Sequence, residues 1–123
     1  MPEPWRPYWL VDRVTPSGTT GTFSLQIGAS EEFEGDAIYF VASAGTLNIE
    51  RIKDSSGKAY TNADSANPIP GGLFLTALDQ RTWVAKFATP LVLAPNTTLT
   101  IEFSGATGSA NLDCIVVGKI KSL

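Results

Sequence analysis

Phe23, Leu25 and Ile27 alternate with Ser24 and Gln26, and this two-residue beat governs much of the chain. It returns at Leu47-Asn48-Ile49-Glu50-Arg51-Ile52, at Leu99, Ile101 and Phe103, and at Leu112, Cys114 and Val116. Successive side chains of an extended strand point to opposite faces, so each run presents one apolar face. No window sustains the 3.6-residue period of an amphipathic helix beyond one or two turns. A chain patterned this way buries its apolar faces by stacking sheets.

Turn chemistry divides the runs. Residues 8–14 form the first candidate strand, closed by Thr15-Pro16-Ser17-Gly18, and residues 21–28 the second. Glu31-Glu32-Phe33-Glu34-Gly35-Asp36 reads as an acidic connection into a largely apolar strand over residues 37–44. Gly45-Thr46 leads into a strand over residues 47–52, and Asp54-Ser55-Ser56-Gly57 is a turn. Residues 58–72 read as the longest loop, and residues 74–79 fit a short strand or one helical turn. Residues 82–88 and 91–93 flank Thr89-Pro90, where a proline argues for an edge or a kinked strand.

About eight strands in 123 residues predict an all-β chain. The expected architecture is an antiparallel β-sandwich of jelly-roll or other Greek-key topology. An immunoglobulin-type sandwich is the main competitor, although its usual paired cysteines with a core tryptophan are absent. The length suits one domain with a single core. The expected division is an extended arm over residues 1–9 and one sandwich domain over residues 10–123. Prolines at 2, 4 and 7 forbid regular helix in that arm, and Trp5, Tyr8 and Trp9 are interleaved with them.

The composition argues against catalysis. There is no histidine, which removes the commonest general base, the Ser-His-Asp arrangement and most zinc sites. Cys114 lies beside Ile115-Val116-Val117 and reads as a small core residue, not a nucleophile. Glu31, Glu32, Glu34 and Asp36 are the best metal or acid/base candidates, but their spacing matches no calcium loop. They read instead as a solvated loop. Gly57-Lys58 lacks the preceding glycine and the following hydroxyl of a phosphate loop, so it is a hairpin turn. Asn96-Thr97-Thr98 matches a glycosylation acceptor only formally. No catalytic residue, metal ligand or cofactor is expected.

The formal net charge is −3, and the 9 Lys+Arg residues are scattered, so no basic stripe is present to follow a nucleic acid. No segment is long and apolar enough for a membrane-spanning helix, and no secretory signal is recognisable at the amino terminus. Charged residues make up only 17%, against about 25% in an average soluble domain, which suits a protein that hides surface against neighbours. The aromatic residues are candidates for that contact. Trp5, Arg6, Tyr8, Trp9, Arg81 and Trp83 form the expected partner-binding set, because Trp, Tyr and Arg are enriched at interfaces. Core burial and a sugar-stacking platform are the alternatives for the same aromatics.

Several runs also carry a resemblance. Leu47-Asn48-Ile49-Glu50-Arg51-Ile52-Lys53-Asp54-Ser55-Ser56-Gly57-Lys58 is followed by a loop ending in Asn67-Pro68-Ile69-Pro70. Then come Pro90-Leu91-Val92-Leu93-Ala94-Pro95-Asn96-Thr97-Thr98-Leu99 and Val116-Val117-Gly118-Lys119. In this order, over most of residues 10–120, the chain resembles small β-sandwich structural proteins of tailed-bacteriophage virions, including head decoration and minor capsid proteins. The resemblance implies a virion component on the phage head, made in the host cytoplasm. It would be a decoration or cement protein bound to the major capsid protein and to copies of itself, and a trimer or other cyclic oligomer is expected. A receptor- or carbohydrate-binding module of a tail or fibre is the alternative.

Overall fold

The computed structural model describes residues 4–61, 69–70, 76–77 and 82–123. Its strands are β1 (Arg6–Val14), β2 (Gly21–Gln26), β3 (Glu31–Ala42), β4 (Gly45–Asp54), β5 (Ile69–Pro70), β6 (Thr76–Ala77), β7 (Thr82–Leu93), β8 (Thr98–Ala106) and β9 (Leu112–Ser122). All pairings are antiparallel, and no described residue is helical. The first sheet runs β1-β9-β3-β7-β6 and the second β2-β8-β4-β5.

This order is a long hairpin rolled up on itself. β1 lies beside β9, β2 beside β8, β3 beside β7 and β4 beside β5, with the short β6 added at one edge. The nesting identifies the jelly roll among the expected Greek-key topologies. An immunoglobulin-type order would place the first and second strands in one sheet, whereas here they lie in different sheets.

The alternating runs supply the core as their period requires. Leu112, Cys114, Val116 and Ile120 of β9 face inward with Phe33, Ile38 and Phe40 of β3. Phe23 and Leu25 of β2 oppose them with Leu99, Ile101 and Phe103 of β8. Phe23 joins the two layers: its ring lies 5.0 Å from that of Phe103 and 5.8 Å from that of Phe40. Offset and tilted aromatic contacts at such distances add about 1 kcal/mol each beyond the area they bury. Cys114 is fully enclosed, and burial, aided by the nearby Asp12 charge, pushes its thiol pKa well up. It is a core residue, as its apolar neighbours imply.

Two expected connections belong to strands. Residues 31–36 are the first half of β3, not a loop, because β9 returns opposite charges beside them. Glu32 is registered with Lys121 and Glu34 with Lys119, the latter pair 3.4 Å apart. A bulge then places Asp36 between the pairs Gly35–Gly118 and Ala37–Val117. β7 likewise continues through Pro90. Its register against β3 jumps from Lys86–Ala37 to Leu91–Gly35, so the proline sits in an irregular stretch of 87–90 that the ladder does not need. Of residues 74–79, Thr76 and Ala77 are strand and the others lie outside the described residues.

The turn after β4 is held by one carboxylate. Asp54 Oδ1 accepts from the Ser56 amide (3.0 Å), the Ser56 hydroxyl (2.6 Å) and the Lys58 amide (3.1 Å). Its Oδ2 accepts from the Tyr60 hydroxyl at 2.9 Å. Removal from water would raise the Asp54 pKa, but these bonds favour the carboxylate and the net shift is downward. Tyr60 is pushed up to about 12, first by its own burial and then by the Asp54 hydrogen bond and charge. Gly57 supplies the left-handed φ of 93° that closes the turn.

Candidate functional site

The two outer faces of the sandwich differ in chemistry. On the second sheet, Thr22 and Ser24 of β2 lie beside Glu102 and Thr100 of β8, with Arg51 and Lys53 of β4 following in register. Glu102 has Lys53 at 3.6 Å and Arg51 at 3.9 Å. Such a face is suited to water.

The outer face of the first sheet is apolar across its middle. One row, in register over four strands, is Val11, Ile115, Tyr39 and Val84, of which Val84 is already buried. The next is Trp9, Val117, Ala37 and Lys86. Trp9 is 66% exposed and Val11 60%, high values for side chains of their size. Trp9, Tyr39, Val41, Ile115 and Val117 surround a shallow hollow of about 350 Å³. Charged pairs bound the band at both ends. Arg13 grips Asp113 through two bonds of 2.7 and 3.1 Å at one end, and Lys119 meets Glu34 at the other. An antiparallel sheet normally solvates one face through polar residues, so an apolar outer band marks a surface built to be covered.

The expected partner-binding residues fall into separate places. Trp9 stands on the band. Trp5, half-buried just before β1, has the Lys121 and Lys119 ammonium groups 4.7 and 5.3 Å from its ring centroid, at the band's charged end. Arg6 and Tyr8 alternate with these on the opposite side of β1, Arg6 lying 5.9 Å from the Tyr8 ring. Tyr8 in turn meets the edge of Phe33 at 6.5 Å. Trp83 is registered opposite Phe40 and Ala77, and Arg81 lies outside the described residues. Residues 6–9 of the expected arm therefore run as β1, in register with β9 from Arg6–Ile120 onward.

Sequence reasoning missed Val11, Tyr39, Val41, Ile115 and Val117. The available signal was two consecutive apolar stretches, Ile38-Tyr39-Phe40-Val41 and Ile115-Val116-Val117. A strand apolar at successive positions is apolar on both faces, and so asks for cover on both. The acidic candidates do not converge. Glu31 accepts the Gly28 amide at 3.1 Å, Glu32 and Glu34 face lysines of β9, and Asp36 occupies the bulge. Among the described residues no three His, Cys, Asp or Glu side chains are grouped to hold a metal ion.

Comparison with known proteins gives a likeness of fold. No protein-family model matches the chain, and no curated protein matches it in sequence. Among solved structures, a chain of the acidic stable capsid structure of Helicobacter pylori bacteriophage KHP30 superposes with a TM-score of 0.52. The two are 11% identical, and the match covers 95% of this chain and 87% of that one. The insecticidal delta-endotoxin Cry8Ea1 of Bacillus thuringiensis matches at TM-score 0.34 and 17% identity, over 90% of this chain and 19% of the toxin. Taken with the strand order, the phage comparison alone shows a sandwich fold shared over most of the length of a chain of a bacteriophage capsid structure.

Proposed function

We propose that the chain is a non-enzymatic structural protein of a bacteriophage virion, of the decoration or cement type, bound to the major coat protein on the head. The supporting observation is the likeness of fold to a chain of a phage capsid structure, a match that covers 95% of this chain and 87% of that one. The exposed apolar band adds to it, since a particle subunit needs surface that neighbours cover. Pro4 and Trp5, just before β1, are the proposed point of attachment to the coat, with Arg6 and Tyr8 of β1 beside them. Prolines reduce the freedom lost when such a segment is ordered, which favours binding. Copies of the chain would also associate with one another on the particle.

Heads assembled without the protein, mixed with the purified chain and sedimented, should carry it down. Deleting residues 1–5 leaves β1 intact, so the shortened chain should stay folded and lose attachment. Unchanged attachment would overturn the role of that segment, and failure of the full chain to bind heads would overturn the decoration role. Binding to glycans in place of heads would instead indicate a receptor-binding module.

A further inference from the structure

We infer that the outer face of the first sheet is a two-fold interface between copies of this chain. Such a pairing deepens the self-association in the proposed function and rests on that reading only for its place on a particle. It is a cyclic arrangement other than the three-fold that the sequence reading put first. The outward residues of β9 run Asp113, Ile115, Val117, Lys119: negative, apolar, apolar, positive. Reversed, the series is its own charge complement. Two copies stacked face to face about an axis across the strands lay β9 antiparallel over the partner's β9. Each Asp113 then meets the partner's Lys119, and each Ile115 meets the partner's Val117.

The neighbouring strands fit the same operation. Val11, Ile115 and Tyr39 come to lie over the partner's Trp9, Val117 and Ala37. Tyr39, the bulkiest outward residue of β3, lands on the partner's Ala37, the smallest. The hollow beside Trp9 and Tyr39 receives the partner's β9 side chains. A three-fold ring would need a heterologous contact, joining this face to a different surface of the next copy. The other sheet's outer face, with Thr22, Ser24, Thr100 and Glu102, offers no apolar match.

Three strands and four rows at ordinary sheet spacing make a face of roughly 400 Å² in projection. A standard interface buries about 800 Å² per partner, so the pair should be in exchange, with a dissociation constant in the micromolar range.

Sedimentation equilibrium of the purified chain, from about 1 μM to 1 mM, reads this directly. A monomer–dimer equilibrium is expected. Asp113→Lys and Lys119→Asp should each weaken it on the order of tenfold by setting like charges together. The two combined should restore it. Trp9→Ser should abolish the dimer while circular dichroism and Tm stay near the wild type, since Trp9 is already exposed. A monomer throughout, a trimer indifferent to these changes, or a double variant no better than the singles would overturn the two-fold. Head sedimentation of the same variants keeps the readings apart. Attachment retained by a monomeric Trp9→Ser chain leaves the two-fold standing. If the wild-type chain is itself monomeric and Trp9→Ser removes its attachment to heads, the face belongs to the coat protein and the two-fold is overturned.

Discussion

Replacing Gly118 by alanine tests how closely β9 and β3 approach beside the bulge. A Cβ built on Gly118 collides with the Glu34 carbonyl oxygen and lies 2.8 Å from Gly35 Cα. Both obstacles are backbone, so no change of rotamer relieves them. Gly35 has no slack of its own, since a Cβ there would meet Val116 Cγ1 at 2.8 Å and the Phe33 ring at 3.2 Å. The strands must separate locally. Overpacking of this kind costs about 1–3 kcal/mol, and weakening one or two flanking ladder bonds adds roughly 1 kcal/mol each. A total near 3 kcal/mol is a large part of the ~5–15 kcal/mol that holds a domain together, and should lower Tm on the order of 10 °C. Urea and thermal unfolding followed by far-UV circular dichroism measure it. Gly18→Ala is the control, because a Cβ there meets nothing within 4 Å, and its effect should stay within about 0.5 kcal/mol. If Gly118→Ala unfolds within about 0.5 kcal/mol of the wild type, the close approach of the two strands is refuted.

Other expectations follow from the buried polar and thiol groups. Asp54→Ala leaves the Ser56 and Lys58 amides and the Tyr60 hydroxyl without their acceptor and should cost roughly 2 kcal/mol in urea unfolding. Because the Asp54 pKa is lowered on folding, its contribution is present above the unfolded value near ~3.9 and is lost as pH falls through the folded value. Acid unfolding curves of the wild type and Asp54→Asn should therefore converge at low pH, and a constant gap between them would contradict the assignment. For Tyr60 the sign is opposite. Its stabilisation is complete below the unfolded pKa near ~10 and is lost as pH rises through about 12. Spectrophotometric titration of the 3 tyrosines should show one ionising late, and Asp54→Asn should bring it earlier. Cys114 should stay inert to a disulfide reagent in the native protein and react on unfolding, and rapid native labelling would contradict its burial.

The inward half of each strand was legible because its information is local. Leu99, Ile101 and Phe103 announce their face by period alone, as do Leu112, Cys114 and Val116. Residues 31–36 were illegible for the opposite reason. Three glutamates and an aspartate look like a loop until Lys119 and Lys121, far along the chain, are placed beside Glu34 and Glu32. Strand order was hidden likewise, since turns fix neighbours in sequence but not the nested pairing of β1 with β9. At the candidate site the choice of aromatic types pointed to Trp9 but not to its companions. Val11, Ile115 and Val117 look like core residues, and only the register shows that they share a face with Trp9 and are turned away from the core.

The rolled hairpin also dictates when the domain can exist. β9 comes after the other described strands in sequence, yet it lies between β1 and β3 in their sheet. Arg13 finds Asp113 100 residues later. Pairings of such sequence separation close late and slowly, on the millisecond-to-second scale of β-rich domains. Until Leu112–Ser122 inserts, β1 has no neighbour in its sheet, and Trp9 and Val11 have no floor to stand on. The apolar band is therefore a product of completed folding. A chain that has not yet placed β9 lacks the centre of that face, and assembly through it must wait for that strand.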